Sequence, residues 1–341
     1  MSKTVLSRAA ETASVHRPRL GFLGIAGMGR DRLRMIAHGD LAEVVAIADP
    51  GAPALRELDA VAPRAARLTS FEELLALPLD GIVIATPGPQ YAAQTIRALE
   101  SGIAVFCQKP LGRTGLETRR VIEAAKHADL LLGVDRPFRF MEAMRVLHAV
   151  VQAGELGDVY AVDLAFHDAH GPGRGWDRDP AHAAGCVLDL GSHVVDLALW
   201  TLGFPRVTRV SSRRYARGEL LPPGSAAAED YATALLELDT GATVRLACSW
   251  DLPSGRDVQV DVSFFGTAGG GSFRNVNGSW YDFTAELYRG TSRHTLADPP
   301  DAWGGRAATE WVRRLAAGER YDPWIEGLID VATTIDAVMG R

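Results

Sequence analysis

Two regimes of apolar patterning divide the chain. From Arg19 to Val134, short unbroken apolar runs alternate with segments of helical spacing. Arg19–Leu23 reads as a strand, a glycine-rich turn follows, and Leu33, Ile36 and Ala37 mark the inner face of a short helix. Glu43–Ala48 is the next strand. Ser70-Phe71-Glu72-Glu73 has capping-box spacing ahead of Leu74 and Leu75, and Gly81–Ala85 is an apolar run of the kind a parallel strand buried on both faces requires. Ala92, Ile96 and Leu99 share a helical face that ends at Gly102; Ile103–Cys107 gives another strand, Thr114 to Glu117 a second capping box, and Leu130–Val134 is read as the sixth strand. About 115 residues of such alternation predict an α/β fold with a doubly wound parallel sheet of Rossmann type.

Beyond Arg139 the pattern changes. One helix runs to Ala153, a strand spans Tyr160–His167, residues 168–186 form a polar loop, and a helix covers Leu188–Leu202. Period-two alternation then marks strands at Val207–Tyr215, Tyr231–Leu238, Thr243–Trp250 and Asp257–Phe265. Tight connections such as Asp239-Thr240-Gly241 imply a large, mostly antiparallel or mixed sheet with one face free for helices or a partner subunit. The 341 residues exceed the roughly 250–300 at which one core stops growing. The expected division is a flexible arm at 1–17, a dinucleotide-binding domain at 18–138 and an α/β domain for substrate and oligomerisation at 139–341.

Composition narrows the partners. With 47% apolar residues, 23% charged residues, a net charge of −6 and no cluster of Lys and Arg, a nucleic-acid partner is not expected. Cys107, Cys186 and Cys248 are widely spaced in apolar stretches, without the pattern of a disulfide framework or a zinc site. Neither an export signal nor a membrane span is recognisable, so a cytoplasmic protein acting on a small molecule is expected.

Gly24-Ile25-Ala26-Gly27-Met28-Gly29 lies between the first strand and the first helix, where backbone N–H groups and the helix dipole hold a pyrophosphate. The middle glycine of the G-x-G-x-x-G pattern is Ala26, with Gly27 beside it. A tight structural turn is the plain alternative. Asp49 ends the second strand twenty residues after Gly29, where a carboxylate accepts from the adenosine ribose hydroxyls. It also repels a 2′-phosphate, so NAD is expected over NADP, with Arg30 or Arg56 as residues that could compensate. A turn-forming role before Pro50 is the alternative for Asp49.

Farther on, Ala85-Thr86-Pro87 ends one strand, Phe106-Cys107-Gln108-Lys109-Pro110-Leu111 ends the next, and Asp189-Leu190-Gly191-Ser192-His193-Val194-Val195-Asp196 opens the second domain's helix. In this order and spacing, with Phe265-Gly266-Thr267-Ala268-Gly269 near the end of the sheet and a last helix around Ile335, the chain resembles the Gfo/Idh/MocA family of NAD(P)-dependent sugar and polyol oxidoreductases. The resemblance covers nearly everything after residue 17. It implies cofactor contacts from Gly24, Ala26, Gly27, Met28, Gly29, Asp49, Thr86, Pro87, Gln108 and Lys109, and a catalytic group of Lys109, Asp189 and His193. Three departures stand out. The family's Glu-Lys-Pro is Gln108-Lys109-Pro110, its His five residues after the Thr of Thr-Pro is Tyr91, and its glycines before Asp189 are partly Ala183 and Ala184.

Oxidising a secondary alcohol with NAD requires hydride departure from carbon and proton loss from oxygen, hence a base and a group that stabilises alkoxide character. Lys109, at the carboxyl end of a parallel strand, is expected to polarise the oxygen. His193, four residues after Asp189 on one helical face, is the expected proton acceptor, with Asp189 orienting it or binding a hydroxyl. Whether Lys109 or His193 removes the proton stays open. Isolated residues of these types are ordinarily solvated charges or helix caps, and the family order is what favours chemistry. Lys109, Arg139, His167, Trp176, Asp189 and His193 are the expected substrate contacts, Arg139 with a structural role at the interdomain crossing as the stronger reading. His167, Asp168 and His170 lack further ligands at a persuasive spacing, so no metal is expected.

The leading expectation is an enzyme that moves a hydride between NAD(H) and a hydroxyl or carbonyl carbon of a sugar, inositol or related polyol. A non-catalytic dinucleotide sensor is the alternative, disfavoured by the presence of Lys109, Asp189 and His193 together. A third reading uses NAD transiently for sugar elimination or hydrolysis. The free sheet face and the resemblance suggest a homodimer or homotetramer.

Overall fold

The computed structural model describes residues 17–25, 27–50, 59–171 and 185–341. Its first sheet has six strands: β1 (Arg19–Leu23), β2 (Glu43–Ala48), β3 (Ala66–Leu68), β4 (Gly81–Ile84), β5 (Ala104–Cys107) and β6 (Leu132–Val134). All pair in parallel in the order β3-β2-β1-β4-β5-β6, the doubly wound arrangement, with the strand order reversing between β1 and β4. Every residue of β4 and β5 is buried, as their unbroken apolar runs require. β3 is the strand that the pattern missed, and at three residues it is too short to stand out as a run.

Helices cover both faces. On one lies α1 (Met28–His38), which buries Leu33 and Ile36. On the other lie α2 (Phe71–Leu75), α3 (Tyr91–Glu100) and α4 (Gly115–Ala128). Both predicted N-termini are present: Ser70 and Glu73 cap each other reciprocally, and the Thr114 hydroxyl accepts the Glu117 N–H.

The second sheet has nine strands: β7 (Val159–Asp168), β8 (Val207–Ala216), β9 (Glu219–Leu220), β10 (Tyr231–Leu238), β11 (Thr243–Ser249), β12 (Val258–Gly266), β13 (Gly270–Asn275), β14 (Phe283–Arg289) and β15 (Ser292–Ala297). Only β7 and β11 run parallel, so the sheet is mixed and mostly antiparallel. The sheet therefore does not end near Gly269, as the sequence suggested; three strands follow. One face carries Val162, Leu164 and Phe166 against α5 (Glu142–Gln152) and α6 (Ser192–Thr201).

The helix expected over Leu188–Leu202 begins instead as a π turn, Val187–Gly191, and continues as α6. Its entry is held from outside. The Cys186 N–H donates to the Glu229 carbonyl at 3.0 Å, and the Val187 N–H donates to Glu229 Oε1 at 3.1 Å. Glu229 itself is buried against Arg214, 3.3 Å away. A Cβ at Gly185 would lie 2.0 Å from Glu229 Oε1, so no other residue fits there without displacing the carboxylate.

The chain then crosses back. α7 (Arg306–Ala316) lays Trp311 on the first sheet, where a Cβ at either Gly81 or Gly133 would lie 2.6 Å from the indole. α8 (Gly327–Met339) wedges between α4 and α6. Assigning every residue after 138 to the second domain is thus corrected: α7 completes the core of the first, with Leu20, Phe22 and Phe106. Among the described residues no helix is long and apolar enough to cross a membrane.

Candidate active site

The glycine turn leads from β1 into α1. Gly24 has φ +80°, and a Cβ on it would lie 2.7 Å from the Ala85 carbonyl oxygen; a Cβ on Gly29 would lie 2.5 Å from the Gly24 oxygen. Both ends of the turn therefore exclude side chains, and Gly27 adds a positive φ of 51°. Met28 opens α1 and is exposed, while Ala26 lies outside the described residues. Asp49 Oδ2 accepts the Ile25 N–H at 3.0 Å, which fixes a carboxylate beside the turn at the carboxyl edge of the sheet. Thr86 donates to Gln94 Oε1 at 2.5 Å, and Pro87 leads into a short 3-10 turn. A bare backbone cradle at a helix N-terminus, flanked by a carboxylate, fits a dinucleotide.

Tyr91 opens α3 with its ring in the apolar layer beneath β4 and β5. Burial, reinforced by Cys107 and Asp135, raises its pKa and keeps the phenol protonated.

Lys109 follows β5 and reaches across to the second domain. Its Nζ lies 2.5 Å from Asp189 Oδ1 and donates also to the Asp189 carbonyl at 3.1 Å. The other carboxylate oxygen, Oδ2, accepts from Trp250 Nε1 at 3.3 Å. Asp189 is thus engaged by Lys109 and Trp250, not by His193. The π turn is the physical reason, because the helical spacing that would set Asp189 directly against His193 is interrupted between them. The His193 ring stands against Phe138 and Phe166, with centroids 5.0 and 6.1 Å away. It is 9% exposed, and burial, followed by the Lys109 and Arg136 charges, lowers its pKa well below the usual histidine value. The imidazole is therefore neutral near pH 7.

Other expected contacts fall elsewhere. His167 alternates out of phase with Phe166, so it points to the opposite sheet face, where Nδ1 meets Ser249 Oγ at 2.8 Å and the ring stacks with Tyr231. It is not brought to Lys109. Asp168 shares the Phe166 phase, feels the Asp189 charge, and has its pKa raised mainly by burial. The alternation Val162, Leu164, Phe166, Asp168 is the signal that finds it. Arg139 forms a two-point pair with Asp196, Nε to Oδ2 at 2.8 Å and Nη2 to Oδ1 at 2.7 Å, over the rings of Trp200 and Phe204. It borders a separate cleft of about 640 Å³ with Arg145, His148 and Trp200. Trp176 lies outside the described residues, as do Arg56, Ala183 and Ala184. Trp250, 8% exposed, had no signal in the sequence, since it ends an alternating strand like any other strand-end aromatic.

Residues 19–136 match the model of an oxidoreductase family with an NAD-binding Rossmann fold, and residues 144–271 match that of the GFO/IDH/MocA C-terminal domain. D-apiose dehydrogenase of Paraburkholderia graminis is 27% identical over 311 residues, spanning 89% of this chain and 78% of that protein. Inositol 2-dehydrogenase 3 of Saccharopolyspora erythraea is 25% identical over 324 residues, with coverage of 85% and 90%. Among solved structures, a 3-ketoreductase from Actinomadura kijaniata in complex with NADP and TDP-benzene is similar with a TM-score of 0.78 at 20% identity, covering 95% of this chain and 97% of that one. With both domains matched in order along most of its length, the chain belongs to the GFO/IDH/MocA family of oxidoreductases.

Proposed function

We propose that the protein moves a hydride between NAD(H) and a hydroxyl or carbonyl carbon of a sugar, inositol or related polyol, with Lys109, Asp189 and His193 as its catalytic group. One observation carries this reading: Lys109, at the carboxyl end of a dinucleotide-type sheet, meets Asp189 of the second domain at 2.5 Å, with the neutral imidazole of His193 close by.

A bound nicotinamide supplies the hydride acceptor or donor, and the chain's own residues handle the substrate oxygen and its proton. His193 takes the hydroxyl proton, since its depressed pKa leaves the ring unprotonated and able to accept. Lys109 stabilises negative charge on that oxygen from a partly buried position. Asp189 aims the Lys109 ammonium, and Trp250 aims Asp189. Gly24, Gly27, Met28, Gly29, Thr86 and Pro87 line the cofactor's path along the sheet edge, with Gln108 contributing through its backbone, and Asp49 accepts from the ribose hydroxyls, which favours NAD over NADP.

A reducing cytoplasm suits the three buried free cysteines. A homodimer or homotetramer suits the free face of the second sheet, where Thr233, Leu235, Ala165 and Ala247 lie among charged side chains.

Calorimetric titration with NAD⁺, NADH, NADP⁺ and NADPH, repeated on Asp49→Ala, tests the cofactor reading. Micromolar NAD(H) binding whose preference is lost in the variant supports it, and no dinucleotide binding overturns it. A sugar and polyol panel follows, with substrate and product analysed directly. Conversion without net NADH would point to the transient use of NAD, and binding with no conversion to a sensor.

A further inference from the structure

The residue before Lys109 is joined to two distant elements. Gln108 is buried at 6% exposure, and its Nε2 donates to Asp135 Oδ2 at 2.5 Å. Asp135, just past β6, is 1% exposed, and the same oxygen accepts from Arg32 Nε at 2.6 Å. Arg32, the fifth residue of α1 and 3% exposed, reaches it from the helix that the glycine turn begins. Backbone bonds lock the same ends: the Asp135 N–H donates to the Cys107 carbonyl at 2.9 Å and the Gln108 N–H to the Ile84 carbonyl at 3.0 Å.

An isolated charge so deeply buried is unstable, so Arg32 needs a carboxylate. Here the acid comes from Asp135 on the neighbouring strand end, and Gln108 is bound to it as a neutral donor. Consecutive residues at a strand end point to opposite sides, so a side chain held at 108 on the buried side sets the direction in which Lys109 leaves on the crevice side.

We propose that Arg32, Asp135 and Gln108 form a brace, its one carboxylate supplied by Asp135, that positions Lys109 against Asp189. These are positioning residues. The proposal rests on the reading of Lys109 as a member of the catalytic group, and its test does not require the substrate. It further implies that the acid can be moved by Gln108→Glu, since Gln108 Nε2 and Arg32 Nε share one acceptor, Asp135 Oδ2, and Arg32 Nη2 has no hydrogen-bond partner.

The sequence has only three lysines, Lys3, Lys109 and Lys126, so amine labelling read by mass spectrometry reports Lys109 individually, with Lys126 as an internal control. In the unmodified protein Lys109 labels about threefold more slowly than Lys126, following their side-chain exposures of 20% and 62%. Gln108→Leu leaves the Arg32–Asp135 pair intact and the protein folded; Lys109 labelling rises toward that of Lys126. Asp135→Asn lowers the unfolding temperature and raises Lys109 labelling. Gln108→Glu alone lowers the unfolding temperature by crowding two acids on one arginine. The double variant Gln108→Glu/Asp135→Asn recovers both the unfolding temperature and the slow labelling of Lys109. Unchanged Lys109 labelling in folded Gln108→Leu, or a double variant no better than the sum of the singles, overturns the proposal. A failed functional reading looks different, because the unmodified protein then binds no dinucleotide while this labelling pattern persists.

Discussion

Arg139 offers a sharp test of how this site is divided between structure and chemistry. Its guanidinium makes two bonds, of 2.8 and 2.7 Å, to the carboxylate of Asp196, which is only 2% exposed. Arg139→Ala leaves that carboxylate with Arg136, whose Nε stands at 3.8 Å, beyond hydrogen-bonding distance. Breaking a buried pair costs about 3–5 kcal/mol, and the remaining Arg136 charge places this case near 3 kcal/mol. An unfolding entropy of about 2.1 cal/mol/K per residue over 341 residues converts each kcal/mol to about 1.4 °C, so the unfolding midpoint falls by about 4 °C. Scanning calorimetry reads this directly. Asp196→Asn destabilises similarly, and the double variant falls short of the sum because the two residues share one interaction. In the variant, NADH affinity and the sugar KM stay within about twofold of the parent, as the guanidinium faces Asp196 rather than Lys109. An unchanged midpoint together with a sugar KM raised about tenfold or more would refute this reasoning and return Arg139 to the substrate site.

Further expectations concern the catalytic group and its supports. Because the folded state lowers the His193 pKa, the ring stays neutral below pH 6.5, and kcat/KM for alcohol oxidation keeps its plateau below that value, as a pH–rate profile will show. The same shift means that the unfolded chain binds the proton more readily, so His193 contributes a loss of stability as pH falls through about 6.5; His193→Leu flattens this slope in denaturant titrations at pH 5 to 8. Trp250→Phe removes the N–H aimed at Asp189 and lowers kcat about tenfold, corresponding to about 1.5 kcal/mol for a bond to a charged group, while calorimetry finds NADH binding unchanged. Gly185→Ala drives a methyl into Glu229, displaces its buried pair with Arg214 and lowers the unfolding midpoint by about 4 °C; a neutral outcome would disprove that Glu229 holds the π turn.

What the sequence disclosed follows from how local each signal is. The βα alternation, both helix caps and the glycine turn depend on residues within a few positions of one another, and all appear where expected. β3 was lost to its brevity. The π turn was illegible because its cause is Glu229, more than forty residues away, whose carboxylate takes the Val187 N–H. The return of α7 was equally hidden, as it requires Gly81 and Gly133 to open slots for Trp311. His167 differs in kind, since the phase that turns it to the face opposite Phe166 was present in Val162, Leu164 and Phe166; its place in a run of polar residues drew attention to it instead.

The second domain's helix joins these observations. Ser192 through Leu199 are all buried, and the charged Asp196 among them takes its partners from another element. His193, Asp196 and Trp200 follow one another at spacings of three and four, a stripe along α6 that Asp189 precedes from the π turn. Ahead of the stripe Asp189 meets Lys109 from the first domain; in the middle Asp196 meets Arg139 and Arg136 from the interdomain crossing; at the far end Trp200 lies beneath the same Arg139. Arg136 ties the two functions together, because its Nη1 also donates to the Ser192 carbonyl at 3.3 Å, one residue before His193, and its charge helps to keep that ring neutral. Arg136 thus links the contacts at the interdomain crossing to the environment of His193, the proposed proton acceptor. A substitution that loosens Asp196 should change the acid limb of the pH–rate profile as well as stability, although Asp196 touches no part of the catalytic group itself.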